Sequence, residues 1–408
     1  MREIDRGELR ALAKVIDIDI ALRYDGEFVD VAGFQTCWCL IRDKGTAIAT
    51  RFLSVDGDER IALSTLQQLF APCRAGLPPT RSADPHPGSL TVVICTRDRV
   101  DGLQATLESL AAQSDKNFGV LIVDNSTEGH LVGESFDLAG LPVRVVHEPI
   151  AGLSRARNRT VAEADSDVLA WIDDDETADP YRIEWVKRGF ADDCRPQAVF
   201  GVMLPAELST PAQVNFERYG GFNKGRGMRS EILKAGTPTV IDPLYPLPNF
   251  GAGGNMAIKT SALRAIGGFD TRLGAGTLTQ GGEETLALSL ILESGGTILH
   301  WPPAVTWHYH RRSDDALRRQ FFGYSAGLTA YYMSLLLRSP RYLLRIIGFV
   351  PAGLRRMVTQ RKSHGSDAPP ADFPVDLIRA GRSGLLRGAP LYLREVVKQR
   401  HIDRSGQC

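Results

Sequence analysis

From Leu90 onward, short apolar runs alternate with segments of helical spacing. LTVVICT (90–96) is a continuous β-branched run, the pattern of a strand buried on both faces. RVDGLQATLESLAAQ follows, with Leu103, Leu107, Leu110 and Ala111 on one helical face. FGVLIVDNS, VRVVHEP and VLAWIDDD read as three further buried strands, and SRARNRTVAEAD, between the last two, reads as a helix. A strand and a helix recur about every thirty residues, which predicts an α/β fold: a mostly parallel sheet with flanking helices. In such sheets ligands bind beyond the carboxyl ends of the strands. Thr96, Asp124 and the run Asp173-Asp174-Asp175 all fall at those ends.

The flanks have different patterns. In residues 1–75, CWCLIRDKGTAIATRFL predicts two strands around an Asp43-Lys44-Gly45 turn, hence a small β-rich unit. Residues 76–89 carry Pro78, Pro79, Pro85 and Pro87 and read as a linker. The catalytic unit is expected over 90–312. Its stretch from Arg195 to Glu283 is glycine-rich, and NFGAGGNMAI and LGAGTLTQGGEE are expected to be active-site and acceptor-side loops. Residues 313–408 read as a helical, basic tail. Between Ala316 and Lys362 stand nine arginines and lysines and no acid, interleaved with LTAYYMSLLL and YLLRIIGFV. That pattern suits a helix lying on an anionic membrane surface. SHGSDAPPADF reads as a loop.

Composition narrows the class. Hydrophobic residues make up 43% of the 408 residues and charged residues 24%, and the formal net charge is zero. The molecule as a whole is therefore no nucleic-acid binder. The six cysteines are scattered; Cys37 and Cys39, one residue apart, are expected on alternate faces of a strand, and no zinc pattern appears. A reduced cytoplasmic setting is expected, with peripheral contact at the inner face of the membrane, since neither a signal peptide nor a membrane-spanning run is visible.

Three constellations carry candidate chemistry. Asp173, Asp174 and Asp175 end an apolar strand, where like charges disfavour joint ionisation unless a cation shares them. Strand alternation sends Asp173 and Asp175 one way and Asp174 the other. Oxygen ligands of this kind suit Mn2+ or Mg2+ with places left for substrate phosphate. Glu283 and Glu284 follow Gly281-Gly282 and open a helix; either could take a proton from an attacking hydroxyl. His308 and His310 are expected on the same side of a strand, with Arg311 and Arg312 behind them.

VVICTRDR, VLIVDNS, AGLSRARN, WIDDDE and GGEETLAL, in this order, resemble glycosyltransferase family 2, which has the GT-A fold. The resemblance spans about 90–330. It implies an inverting transfer of sugar from a nucleoside-diphosphate-sugar donor to a hydroxyl of a glycan or lipid-linked acceptor. It implies nucleotide-sugar contacts from Thr96, Arg97, Asp124, Gly152, Leu153, Ser154, Arg157, Asn158, Asp173 and Asp174. It also implies a divalent metal on Asp173 and Asp175, completed by His308. The family's base is the second acid of a Gly-Glu-Asp motif. Here that acid is Glu284, so Glu283 and Glu284 both stand as candidates. Many relatives carry a further acid at the Leu286 position. Its absence keeps open a catalytically impaired nucleotide-sugar-binding protein. A nucleotidyltransferase is the more distant alternative, because CTRDRVDGL lacks a glycine- and lysine-bearing phosphate loop.

Overall fold

The computed structural model describes residues 1–405 except 10, 56, 77–87, 134–135, 137–139, 225, 239, 241, 245–249 and 360–371. Most of the linker expected at 76–89 and most of the SHGSDAPPADF loop lie outside the described residues.

The N-terminal unit comprises β1 (Arg2–Ile4), β2 (Ala13–Asp19), β3 (Phe28–Asp30), β4 (Thr36–Asp43), β5 (Thr46–Ser54), β6 (Arg60–Ala62) and α1 (Leu63–Phe70). The β4–β5 hairpin turns where the sequence placed it, with Lys44 at φ 51° and Gly45 at φ 78°, the left-handed pair that a two-residue hairpin turn requires. One face of its sheet, in the order β1-β5-β4-β2, holds Ile16, Ile18, Ile41 and Leu53. Cys37 and Cys39 both lie in that cluster. The expectation of alternate faces fails because residues i and i+2 of a strand share a face. From the other face Trp38 and Leu40 pack on Val202, Leu204 and Val305 of the large sheet, so the two sheets share a core.

The main unit follows as β7 (Leu90–Thr96), α2 (Val100–Ala111), β8 (Gly119–Asp124), β9 (Val143–His147), α3 (Leu153–Glu163), β10 (Val168–Asp173), β11 (Glu176–Ala178), α4 (Arg182–Phe190), β12 (Ala198–Pro205), α5 (Pro211–Tyr219), β13 (Glu231–Lys234), β14 (Met256–Lys259), α6 (Thr260–Ile266), α7 (Glu283–Glu293) and β15 (Thr297–His308). The strand order is β11-β15-β12-β14-β10-β7-β8-β9, with β13 also on β15. The pairs β9–β8, β8–β7, β7–β10 and β12–β15 are parallel, and β14 joins the two blocks antiparallel to both neighbours. This is the α/β architecture expected, with Leu103, Leu107 and Leu110 of α2 buried on the β7–β8–β10 face. Pro302 and Pro303 have no N–H to donate, and the β12–β15 register shifts across them, between Phe200 and Val202.

Helices α8 (Asp314–Arg338), α9 (Tyr342–Thr359) and α10 (Val375–Ser405) complete the chain. α8 is packed on the main unit: Leu317, Phe321, Ala326, Ala330, Tyr331 and Leu335 are buried. Its Gly323 and Gly327 pack against Gly281 and Gly282, where an added Cβ on Gly327 would lie 2.6 Å from the Gly281 carbonyl carbon. The tail's missing acids are supplied in space. Arg318 pairs with Asp315 and Asp376, and Arg345 with Asp242 and Glu293. α9 keeps Leu343, Leu344 and Ile347 exposed. No helix among the described residues is long and apolar enough to cross a membrane.

Candidate active site

Strand β10 ends at Asp173, the chain turns at Asp174 and Asp175, and β11 begins at Glu176. The turn distributes the three aspartates as strand alternation predicts. Asp174 points back under the sheet edge, where Thr96 Oγ1 donates to it at 2.7 Å and Arg99 Nη1 at 3.0 Å. Asp174 therefore fastens the end of β7 to the acidic turn. Asp173 and Asp175 instead converge with Glu176, their carboxylate oxygens lying within 4.8 Å of one another. The pairing of β11 with β15 sets Glu176 opposite His308. His308 Nε2 consequently lies 3.7 Å from Asp175 Oδ1.

The electrostatics of this group are those of carboxylates gathered without enough positive charge. Burial, and then the negative charges of Asp175, Asp174 and Glu284, push Asp173 up to about 7, although Arg157 works against the shift. Glu176 is buried, and neither of its oxygens finds a hydrogen-bond partner among the described residues. Burial and the charges of Asp173 and Asp175 raise it well above the ordinary range. Burial also works against ionised Asp175, but nearby positive charge, that of Arg311 and Arg99 at neutral pH, outweighs it and holds Asp175 below its usual value; burial pushes His308 itself down to about 3, so it stands there as a neutral imidazole. Arg99 Nη1 donates to Asp175 at 3.1 Å and Arg311 Nη1 at 3.3 Å. Asp98, Arg99, Asp174, Asp175, Tyr309 and Arg311 line an open cleft of about 550 Å³. An oxygen-rich trio with an unsatisfied buried carboxylate and an adjacent imidazole fits a hard divalent cation.

Glu283 and Glu284 reach the same place from α7. Arg157, buried on α3, lies between them and Asp173: its Nη1 is 3.2 Å from Glu283 Oε1 and 3.5 Å from Glu284 Oε2. Glu283 is buried, and burial followed by the charge of Glu284 pushes it up to about 8. The Glu284 side chain is 30% exposed and is the acid with access to open space. Two glycines bring the halves together. A Cβ on Gly253 would lie 2.7 Å from Glu284 Oε2, and one on Gly254 would lie 2.8 Å from Asp173 Oδ2 and 1.8 Å from Glu176 Oε1. Only glycine allows the chain to pass so close. Leu286 is buried among Leu244, Leu273 and Tyr331, so a carboxylate there would meet an apolar core.

Other residues singled out in the sequence stand elsewhere. Arg97 is half-exposed, its nearest acid being Asp98 at 3.7 Å. Asp124 is buried and accepts from Ser126 N at 2.9 Å and Leu131 N at 2.8 Å; these bonds overcome burial and lower its pKa. The start of α3 is covered by the 273–276 loop. Gly152 N donates to Asn125 Oδ1 at 2.8 Å, Leu153 N to Ala275 O at 2.9 Å and Ser154 Oγ to Leu273 O at 2.7 Å. Asn158 spends its amide on both backbone groups of Phe269, at 2.8 Å each. Of the three arginines on α3, only Arg157 turns inward; Arg159 pairs with Glu163 and Arg155 meets Gln399. Sequence reasoning passed over Arg99 and Glu176. Their one signal was adjacency, Arg99 to the end of β7 and Glu176 to the triple aspartate.

Residues 91–267 match the family model "Glycosyl transferase family 2". This domain belongs to glycosyltransferase family 2. The matched span carries the acidic turn, Arg157 and the Gly253-Gly254 pair, while Glu283, Glu284 and His308 lie beyond it. The chain is 24% identical over 251 residues to the glucosyl-dolichyl phosphate glucuronosyltransferase of Haloferax volcanii, covering 58% of this chain and 75% of that protein. It is 33% identical over 99 residues to an uncharacterized glycosyltransferase of Haemophilus influenzae, covering 24% of this chain and 33% of that one. Among solved structures it is similar to a mannosyltransferase of Pyrobaculum calidifontis in complex with GDP-Man and Mn2+, at 17% identity and a TM-score of 0.44. That match covers 82% of this chain and 93% of the other.

Proposed function

We propose that this glycosyltransferase moves a sugar from a nucleoside diphosphate to an acceptor hydroxyl with inversion at the anomeric carbon. The meeting of Glu284 and Asp173 across Gly253-Gly254 carries this assignment. It sets one solvent-accessible carboxylate beside a buried acidic trio suited to a cation.

Asp173, Asp175 and Glu176, with His308, are the residues that would hold a divalent ion. When bound, that ion would supply Lewis-acid stabilisation of the diphosphate leaving group. Arg99 and Arg311 line the cleft beside Asp175 and offer guanidinium donors to phosphate oxygens. On this reading Thr96 and Arg97 at the end of β7 and Asp124 at the end of β8 belong to the nucleotide side, whereas the Gly152, Leu153, Ser154 and Asn158 groups are spent on Asn125 and the 268–276 loop and are given no nucleotide contact. Glu284 is the base. As the acceptor oxygen bonds to the anomeric carbon, its proton passes to the Glu284 carboxylate. The bond from that carbon to the phosphate oxygen breaks, and its electron pair leaves on the diphosphate. Glu283, whose pKa burial raises, serves with Arg157 to fix the position of Glu284. One base and no placed nucleophile give inversion.

A thermal-shift screen of nucleoside-diphosphate sugars, with and without Mn2+, tests this reading. At least one donor is expected to raise the melting temperature only when Mn2+ is present. Equal shifts in the presence of a chelator would overturn the metal's part.

A lipid-linked acceptor is favoured by α9, whose Leu343, Leu344 and Ile347 are exposed in a stretch of chain rich in arginine. Each basic side chain near an anionic surface contributes on the order of 1 kcal/mol. The full-length protein is expected to bind phosphatidylglycerol vesicles at low salt and to release them as salt rises. Leu344→Glu with Ile347→Glu should weaken that binding. Indifference of the unmodified protein to such vesicles removes membrane contact from the reading.

A further inference from the structure

We propose that Glu217 and His310 are positioning residues that fix His308 with its Nε2 lone pair bare and turned toward Asp175, which rests on the reading that His308 and Asp175 share a divalent cation. The three side chains come from two separated parts of the chain. Glu217 lies on α5, and His308 ends β15 with His310 two residues on. Residues i and i+2 of an extended chain share a side, so the two imidazoles meet, Nδ1 to Nδ1 at 2.9 Å. Beyond them His310 Nε2 lies 3.0 Å from Glu217 Oε1.

With both imidazoles neutral, the donor and acceptor inventory of these groups leaves one proton arrangement. The Glu217 carboxylate can only accept, so His310 Nε2 carries the hydrogen. A neutral imidazole has a single N–H, so His310 Nδ1 is the acceptor for its neighbour. His308 must then donate from Nδ1, and its Nε2 is left as a bare lone pair. That lone pair is 3.7 Å from Asp175 Oδ1, too far for a hydrogen bond and without a proton to make one. Two acceptors facing each other across such a gap repel unless an electrophile stands between them. The arrangement is what a metal-binding histidine needs, since the hydrogen bond made by one ring nitrogen decides which nitrogen remains free for the ion.

The surroundings preserve this arrangement. His308 is 4% exposed, His310 2% and Glu217 8%, so water has little access to exchange the tautomers. Phe222 packs edge-on against His308 at 4.8 Å between centroids, and Phe216 against His310 at 4.9 Å. The His310 carbonyl is itself held by Gln213 Nε2 at 3.2 Å. Gln213 in turn belongs to the capping box that starts α5, the helix that carries Glu217. The helix start, the carboxylate and both rings are thus parts of one connected network.

Two measurements test this. In the metal-free, unmutated protein labelled with 15N-histidine, two-bond proton–nitrogen correlation spectra report which ring nitrogen is protonated. Nδ1–H at His308 and Nε2–H at His310 are expected; Nε2–H at His308 would overturn the assignment. Separately, Mn2+ affinity is read from the electron paramagnetic resonance of free Mn2+. His308→Ala, Glu217→Gln and His310→Ala are each expected to weaken Mn2+ binding, the latter two on the order of 10–100-fold. Adding His310→Ala to His308→Ala should cost nothing further. Loss with His308→Ala but affinity within about twofold of wild type for both Glu217→Gln and His310→Ala would reject the positioning role alone. Unchanged affinity in His308→Ala would reject the ligand assignment and the positioning role together. The spectrum needs no variant, so the question is decided even if one fails to fold.

Discussion

Glu284→Gln is expected to slow sugar transfer by roughly a hundredfold or more while leaving donor affinity unchanged, the usual scale for loss of a general base. The amide keeps the shape and the contact with Arg157 but cannot accept a proton from the acceptor hydroxyl. Donor binding should be spared because the proposed nucleotide side of the site is built from the ends of β7 and β8 and from the acidic turn. Glu283→Gln is the informative comparison. Glu283 is buried against Arg157 at 3.2 Å, and burial and the charge of Glu284 raise its pKa, which favours its neutral form more than in an ordinary carboxyl. Glutamine is close to an isostere of that form, and kcat should fall far less. Single-turnover rates for both variants, with donor dissociation constants measured in parallel, check this. Should Glu283→Gln abolish turnover and Glu284→Gln leave it intact, the two acids exchange roles.

Asp175→Asn is expected to remove metal-dependent donor binding altogether while the fold persists. Asp175 is the one acid of the trio held below its usual pKa, and so the one that stays charged most readily before any cation arrives. Asp173 and Glu176 are both raised and would have to release protons to bind an ion. Removing the ready charge leaves two reluctant carboxyls and an imidazole. The side chain is 20% exposed, and Arg99 retains Asp174 as a partner, so no buried cation is stranded. Calorimetric titration of donor in Mn2+ against donor in chelator, with the melting temperature of the free protein as the control for folding, reads the outcome. Wild-type donor affinity in the variant would sink the assignment of Asp175.

Much of this site was legible in the chain because its elements are local. LTVVICT, VLIVD and VLAWID are apolar on both faces and so had to be central strands. A parallel sheet then gathers whatever follows their carboxyl ends, which is how Thr96, Asp124 and the triple aspartate could be placed without coordinates. The helix beginning at Glu283 was equally plain from its own spacing. Register and packing between distant segments were not legible. The sequence says nothing of β11 pairing with β15, yet that pairing sets Glu176 opposite His308 and so brings the histidine to Asp175. Nor does it say that Arg157 would be buried between two groups of acids, or that Asn158 and Ser154 would be spent on the 268–276 loop. The basic tail shows the same limit from the other side. Arg345, with no acid near it in sequence, found Asp242 and Glu293 across space, and Arg318 added Asp376 to its neighbour Asp315, because ion pairing depends on distance in the fold and not only along the chain. Hydrophobic periodicity determined the strands, the helices and the sheet edge at which Thr96, Asp124 and the acidic turn stand. Tertiary contacts decided which charges neutralise one another there, and with that which carboxylate is free to take a proton.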